Sequence, residues 1–131
     1  MTEEKVPDEL RYTKSHEWVK VEGNHVTVGI TDHAQAQLTD IVFVDLPAVG
    51  KAVSKGASVL VLESVKTVAD VYAPGNGTVS EANTDLKAHP ENVNHDPYGQ
   101  GWLYKLALTG AVDAAELMSA EQYRTFVASG K

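Results

Sequence analysis

The chain has 131 residues, 43% of them hydrophobic and 22% charged, and eighteen acidic against eleven basic residues give a formal charge of −7. That length and composition predict one folded domain over residues 1–131 and exclude a disordered chain or a membrane span, which needs roughly 20 uninterrupted apolar residues. The negative charge repels phosphate backbones and anionic bilayers, so neither nucleic acid nor membrane is an expected partner, and without cysteine any redox chemistry has to be carried by a cofactor.

The first ten residues, Met1 to Leu10, are acidic and lack an apolar h-region or an Arg-rich transit pattern, so a cytoplasmic, bacterial setting is expected. Glu17 to Glu22 and Val26 to Ile30 alternate around Gly23-Asn24 and predict a hairpin. Thr31 is placed to cap a short helix over Asp32 to Leu38, and strand character returns from Asp40 to Leu46 before Pro47. Gly50 and Gly56 bracket a corner, and two β-prone apolar runs, Ser58 to Leu62 and Val71 to Pro74, then face each other across Lys66. Thr78 to Ala82 reads as a strand, with Asn83 placed to cap a helical turn at Thr84 to Leu86. Residues Lys87 to Gly101 read as loop and Trp102 to Leu108 as the last strand. Capping-box spacings at Asp113 with Glu116 and Ser119 with Gln122 predict two short C-terminal helices within 113–128, beside a core at about 12–110. Short strands, Gly and Pro corners and peripheral helices point to a mainly β fold, a sandwich or flattened barrel.

Few residues carry chemistry on pattern alone. His16, His25, His33, His89 and His95 have no paired-ligand spacing, so no metal site is expected. Gly75-Asn76-Gly77 and Gly99-Gln100-Gly101 are turns rather than a dinucleotide fingerprint. Ser15 and Ser64 lack a nucleophile elbow, and Trp18 and Trp102 are expected to plug the core or its rim. Glu17 and Asp70 are candidate acid–base groups that spacing alone cannot bring together. Lys66 stands apart. Val65, Thr67 and Val68 stiffen the tip around it, where Asn-Gly or Asp-Gly would be usual, and a tip lysine is open to an acylating enzyme. A solvated turn lysine is the rival reading.

Several stretches in order carry a resemblance: Ser15-His16-Glu17-Trp18-Val19, Val28 to Gln35, Asp40 to Val44, Leu46-Pro47, Val49-Gly50, Glu63-Ser64-Val65-Lys66-Thr67, Asp70 to Pro74, Asn83, Asn94 and Pro97 to Trp102. From about Tyr12 to the C-terminal helices the chain resembles the H-protein family of the glycine cleavage system. The resemblance implies a barrel-sandwich hybrid of the lipoyl-domain type, two small antiparallel sheets with peripheral short helices. It implies lipoic acid in amide linkage to Lys66, with Glu63, Ser64, Val65 and Thr67 as the context a lipoylating enzyme reads. It also implies that Ser15, Glu17 and Asp70 contact the amine of the loaded arm. The implied partners are glycine decarboxylase, an aminomethyltransferase that delivers to tetrahydrofolate, and dihydrolipoyl dehydrogenase. The implied protein is a monomeric, non-catalytic carrier. Two positions depart from the pattern: Thr39, where the family usually has Gly, and Thr67, where it often has Ala. A β-branched residue disfavours the positive φ that glycine allows. A biotinyl carrier shares much of this frame but usually has methionine on both sides of the lysine, and a lipoyl-relay role or a non-acylated module also stays open.

Overall fold

The computed structural model describes residues 5–110 and 117–130. Among the described residues nine strands form two antiparallel sheets: β1 (Arg11–Tyr12), β2 (Glu17–Glu22), β3 (His25–Ile30), β4 (Ile41–Asp45), β5 (Ala52–Val53), β6 (Ser58–Ser64), β7 (Val68–Tyr72), β8 (Gly77–Ala82) and β9 (Tyr104–Leu108). The larger has the order β1-β2-β3-β9-β8-β5 and the smaller β4-β6-β7. Helices α1 (Asp32–Leu38), α2 (Asn92–His95) and α3 (Ala120–Ala128) lie at the edges, with a 3-10 turn at Thr84–Lys87. This is the mainly β, two-sheet architecture that the resemblance implied.

Alternation drives the layering. Val19, Val28 and Leu106 of the larger sheet share one buried cluster with Val44, Leu62 and Val71 of the smaller, so the two sheets enclose a common core. A second cluster, Leu10, Tyr12, Trp18, Ala120 and Tyr123, fastens α3 to the outside of β1 and β2. There the Tyr12 and Tyr123 rings stack at 4.7 Å, and Tyr12 and Met118 exchange backbone bonds. Trp18 lies flat over its cross-strand partner Gly29 and donates its indole N–H to the Pro97 carbonyl at 2.9 Å. Both positions expected of the tryptophans hold: Trp18 is buried, and Trp102 packs half-buried at the rim with Lys105 5.4 Å over its ring.

Local signals explain most boundaries. Thr31 accepts the Ala34 N–H and caps α1, and Ser119 with Gln122 forms a reciprocal capping box on α3. The box expected at Asp113 and Glu116 lies outside the described residues. The corner between Gly50 and Gly56 holds only the two-residue β5, and both glycines have positive φ. Two expectations fail. Asn83 occupies the cap position of the 3-10 turn without capping it, because its amide donates instead to the Gln100 and Trp102 carbonyls, both at 2.8 Å. The stretch from Lys87 to Gly101 is not all loop, since α2 forms within it around the buried Val93.

Candidate functional site

After a register shift between Ser58 and Leu60, β6 and β7 pair without interruption from Leu60 and Val71 up to Glu63 and Val68, leaving Ser64, Val65, Lys66 and Thr67 as the apex. The Ser64 hydroxyl organises it: it accepts the N–H groups of Lys66 at 3.3 Å and Thr67 at 3.1 Å and donates to the Thr67 carbonyl, while the Ser64 N–H also reaches that carbonyl at 2.8 Å. The apex is tied to the body by a bond from the Val65 N–H to the Asp40 carbonyl at 3.0 Å, beside the pairing of Ser64 with Ile41. Lys66 is exposed, and among the described residues its ammonium has no hydrogen-bond or ion-pair partner. Val65 is 65% exposed and Val68 62%, so apolar surface flanks the lysine.

On the outward face of the smaller sheet, Phe43, Glu63 and Val68 form one cross-strand row and Asp45, Val61 and Asp70 the next. A β4 bulge between Ile41 and Phe43 turns both Val42 and Phe43 to solvent. The result is an apolar face with acidic side chains among its valines.

Ser15, Glu17 and Asp70, far apart in sequence, line one hollow of about 190 Å³ together with Leu38, Leu62 and Ala69. Ser15 and Glu17 also border a second cleft of about 340 Å³, shared with Lys55, Tyr72 and Pro74. Glu17 is 2% exposed. Its Oε1 accepts from the hydroxyls of Ser15, at 2.6 Å, and of Thr13, and its Oε2 accepts the Tyr72 N–H at 3.2 Å. Burial raises its pKa above the ordinary carboxylate value, and the bonds from Ser15, Thr13 and Tyr72 pull it back. The same buried charge, after desolvation, helps push up the pKa of the Tyr104 phenol, whose O–H reaches the Tyr72 carbonyl at 3.4 Å. Asp70 borders the hollow from β7, but its side chain is exposed on the outward face, and its carboxylate accepts the Ser58 hydroxyl at 2.7 Å rather than touching Glu17. Ser15 lies in a turn, not on a strand, and the next residue, His16, has φ 70 and meets the Tyr123 hydroxyl at 2.7 Å. Helix α3 thereby braces the turn that carries Ser15.

Sequence reading missed Thr13 and Tyr72, the two remaining partners of Glu17. No spacing rule marks them, because one acts through a turn and the other through a backbone amide from the opposite sheet. Among the described residues no cluster of side chains is arranged to hold a metal ion, and no helix is long and apolar enough to cross a membrane.

The family model described as glycine cleavage H-protein matches residues 10–130. The glycine cleavage system H protein of Acinetobacter baumannii is 50% identical over 117 residues, covering 89% of this chain and 94% of that protein. That of Staphylococcus saprophyticus is 52% identical over 122 residues, covering 93% and 97%. The crystal structure of a glycine cleavage system H protein from Mycobacterium marinum superposes with a TM-score of 0.86 at 42% identity, over 94% of this chain and 99% of that one. The chain belongs to the glycine cleavage H-protein family.

Proposed function

We propose that this chain is the lipoyl carrier of a glycine cleavage system, with Lys66 as the attachment residue. The observation that carries this reading is an exposed lysine, without a side-chain partner among the described residues, at the apex of a stiff, locally hydrogen-bonded hairpin. Such an apex can be engulfed by a modifying enzyme without opening the core. Lipoic acid bound there would supply the dithiolane that accepts an aminomethyl group and is afterwards reoxidised, chemistry that a chain without cysteine cannot perform itself.

The chain's own residues hold and shield the cargo. Val65 and Thr67 keep the apex backbone stiff, and Glu63 and Ser64 complete the surface that a lipoylating enzyme meets. The hollow bordered by Ser15, Glu17 and Asp70 fits a cationic amine: its carboxylates accept charge-assisted hydrogen bonds, and Leu38, Leu62 and Ala69 keep water away. Glycine decarboxylase, the aminomethyltransferase and dihydrolipoyl dehydrogenase are the partners, met in turn by a monomeric, non-catalytic protein of the cytoplasm. Tethering the reactive group raises its effective concentration at each.

Intact mass after co-expression with a lipoylating enzyme tests the reading. The wild type should gain one lipoyl increment and Lys66→Arg none. A biotinyl increment, or no increment in the wild type, would overturn it.

A further inference from the structure

We propose that Asn94 is a positioning residue for Lys66, acting through a strained corner at Thr39. What the apex does rests on the carrier reading above; the clamp is argued from contacts alone. Thr39 ends α1 at φ 63 and ψ −153, a conformation that is essentially reserved for glycine. A β-branched residue stays there only if its surroundings hold it.

Asn94 supplies that hold. Its Nδ2 donates to the Thr39 carbonyl at 2.7 Å and to Gln35 Oε1 at 3.1 Å, and its Oδ1 accepts the Ile41 N–H at 2.8 Å. One side chain therefore brackets residues 39–41. Asp40 lies between the two gripped peptides, and its carbonyl accepts the Val65 N–H, the residue before Lys66. Ile41 in turn pairs with Ser64, the organiser of the apex. Asn94 is itself set firmly: Val93 beside it is buried, and α2 lies so close to Gly101 that a Cβ there would fall 2.6 Å from the Asn92 carbonyl oxygen.

Without the clamp, Thr39 relaxes toward negative φ. The peptide before Asp40 turns with it, and the Asp40 carbonyl leaves the Val65 amide. The lysine apex then keeps only its local turn bonds. A glycine at 39 would hold the corner unaided, so the need for Asn94 is conditional on the threonine.

A four-member cycle in the full chain tests this: wild type, Asn94→Ala, Thr39→Gly and the double variant. Val65 amide exchange is measured beside that of Leu62, together with the rate of Lys66 lipoylation well below the melting temperature. Asn94→Ala should accelerate Val65 exchange about tenfold relative to Leu62 and slow lipoylation by a similar factor. Thr39→Gly alone should leave both near wild type, and the double variant should return both to within about twofold of it. If Val65 and Leu62 exchange rise together in Asn94→Ala, or if glycine at 39 fails to restore the tip, Asn94 is merely structural and the proposal is overturned. A wild type that resists lipoylation while Val65 exchange follows the expected cycle would remove the carrier reading and still support the clamp.

Discussion

Thr13 and Glu17 close on each other through three hydrogen bonds: Thr13 N–H to the Glu17 carbonyl at 3.0 Å, Glu17 N–H to Thr13 Oγ1 at 3.0 Å, and the Thr13 hydroxyl back to Glu17 Oε1. The loop between them carries Ser15 and the positive-φ His16, so the threonine shapes the whole turn and not only the carboxylate. Replacing it isosterically separates these bonds from packing. Thr13→Val should lower stability in urea by about 1–3 kcal/mol, because it strands a buried N–H and removes a donor from a buried carboxylate. NMR titration of Glu17 should show its pKa moving further up, since one of the bonds that lowers it is lost.

Glu17→Ala should leave the rate of Lys66 lipoylation unchanged, as its bond to the hairpin is at Tyr72, the end of β7 away from Lys66. It should shorten the life of the aminomethyl-loaded form. Ammonia released from isolated loaded protein is the measurement, and a rate equal to that of wild type would remove Glu17 from the cargo site.

The raised pKa of Glu17 gives stability an unusual pH slope. A carboxyl whose pKa is higher folded than unfolded keeps its proton in the native state after the unfolded chain has lost it. Stability from this group therefore falls as pH rises from the unfolded value, near the ordinary 4.5, up to the folded pKa, and is flat above. Comparing urea midpoints of wild type and Glu17→Gln from about pH 4.5 to 7 isolates the effect. The difference should favour the wild type most at the acid end.

Thr39→Gly should stabilise the protein, although glycine usually costs backbone entropy. Glycine adopts this corner without the roughly 1–3 kcal/mol of strain that threonine stores there, whereas the freer unfolded chain takes back about 0.5–1 kcal/mol, so a net gain of about 1 kcal/mol is expected in thermal melts.

Gly29→Ala should do the opposite. Its Cβ would fall 2.5 Å from the Trp18 indole nitrogen, and the ring cannot yield without losing the Pro97 carbonyl. Overpacking of this kind costs about 1–3 kcal/mol, and tryptophan fluorescence in urea would report both the loss and the displaced ring.

The strands and helix caps were legible because their signals are local. Alternation from Glu17 to Ile30 needs only nearest neighbours, and the hydroxyls of Thr31 and Ser119 bond N–H groups three residues on. Asn83 misled because its amide found carbonyls at Gln100 and Trp102, which no local rule anticipates. Helix α2 was missed because four residues of Asn, Val, Asn and His, with no side-chain cap at Glu91, carry no helix signal; burial of Val93 makes it. At the candidate site, local context singled out Lys66 and resemblance added Ser15, Glu17 and Asp70, but the turn bonds of Thr13 to Glu17 follow no spacing rule, and the bond from Tyr72 is tertiary and invisible before folding. The oddity at Thr39 was visible as a departure from the family pattern; its φ of 63 gives that departure a physical content.

The apex bonds around Ser64 are all local, save the one to Asp40. Residues 64–67 are therefore nearly portable: spliced into a foreign hairpin, they would bring their own turn chemistry and leave behind their tie to residues 40–41. Such a chimera would divide what a modifying enzyme reads in the loop from what it reads in the scaffold beneath.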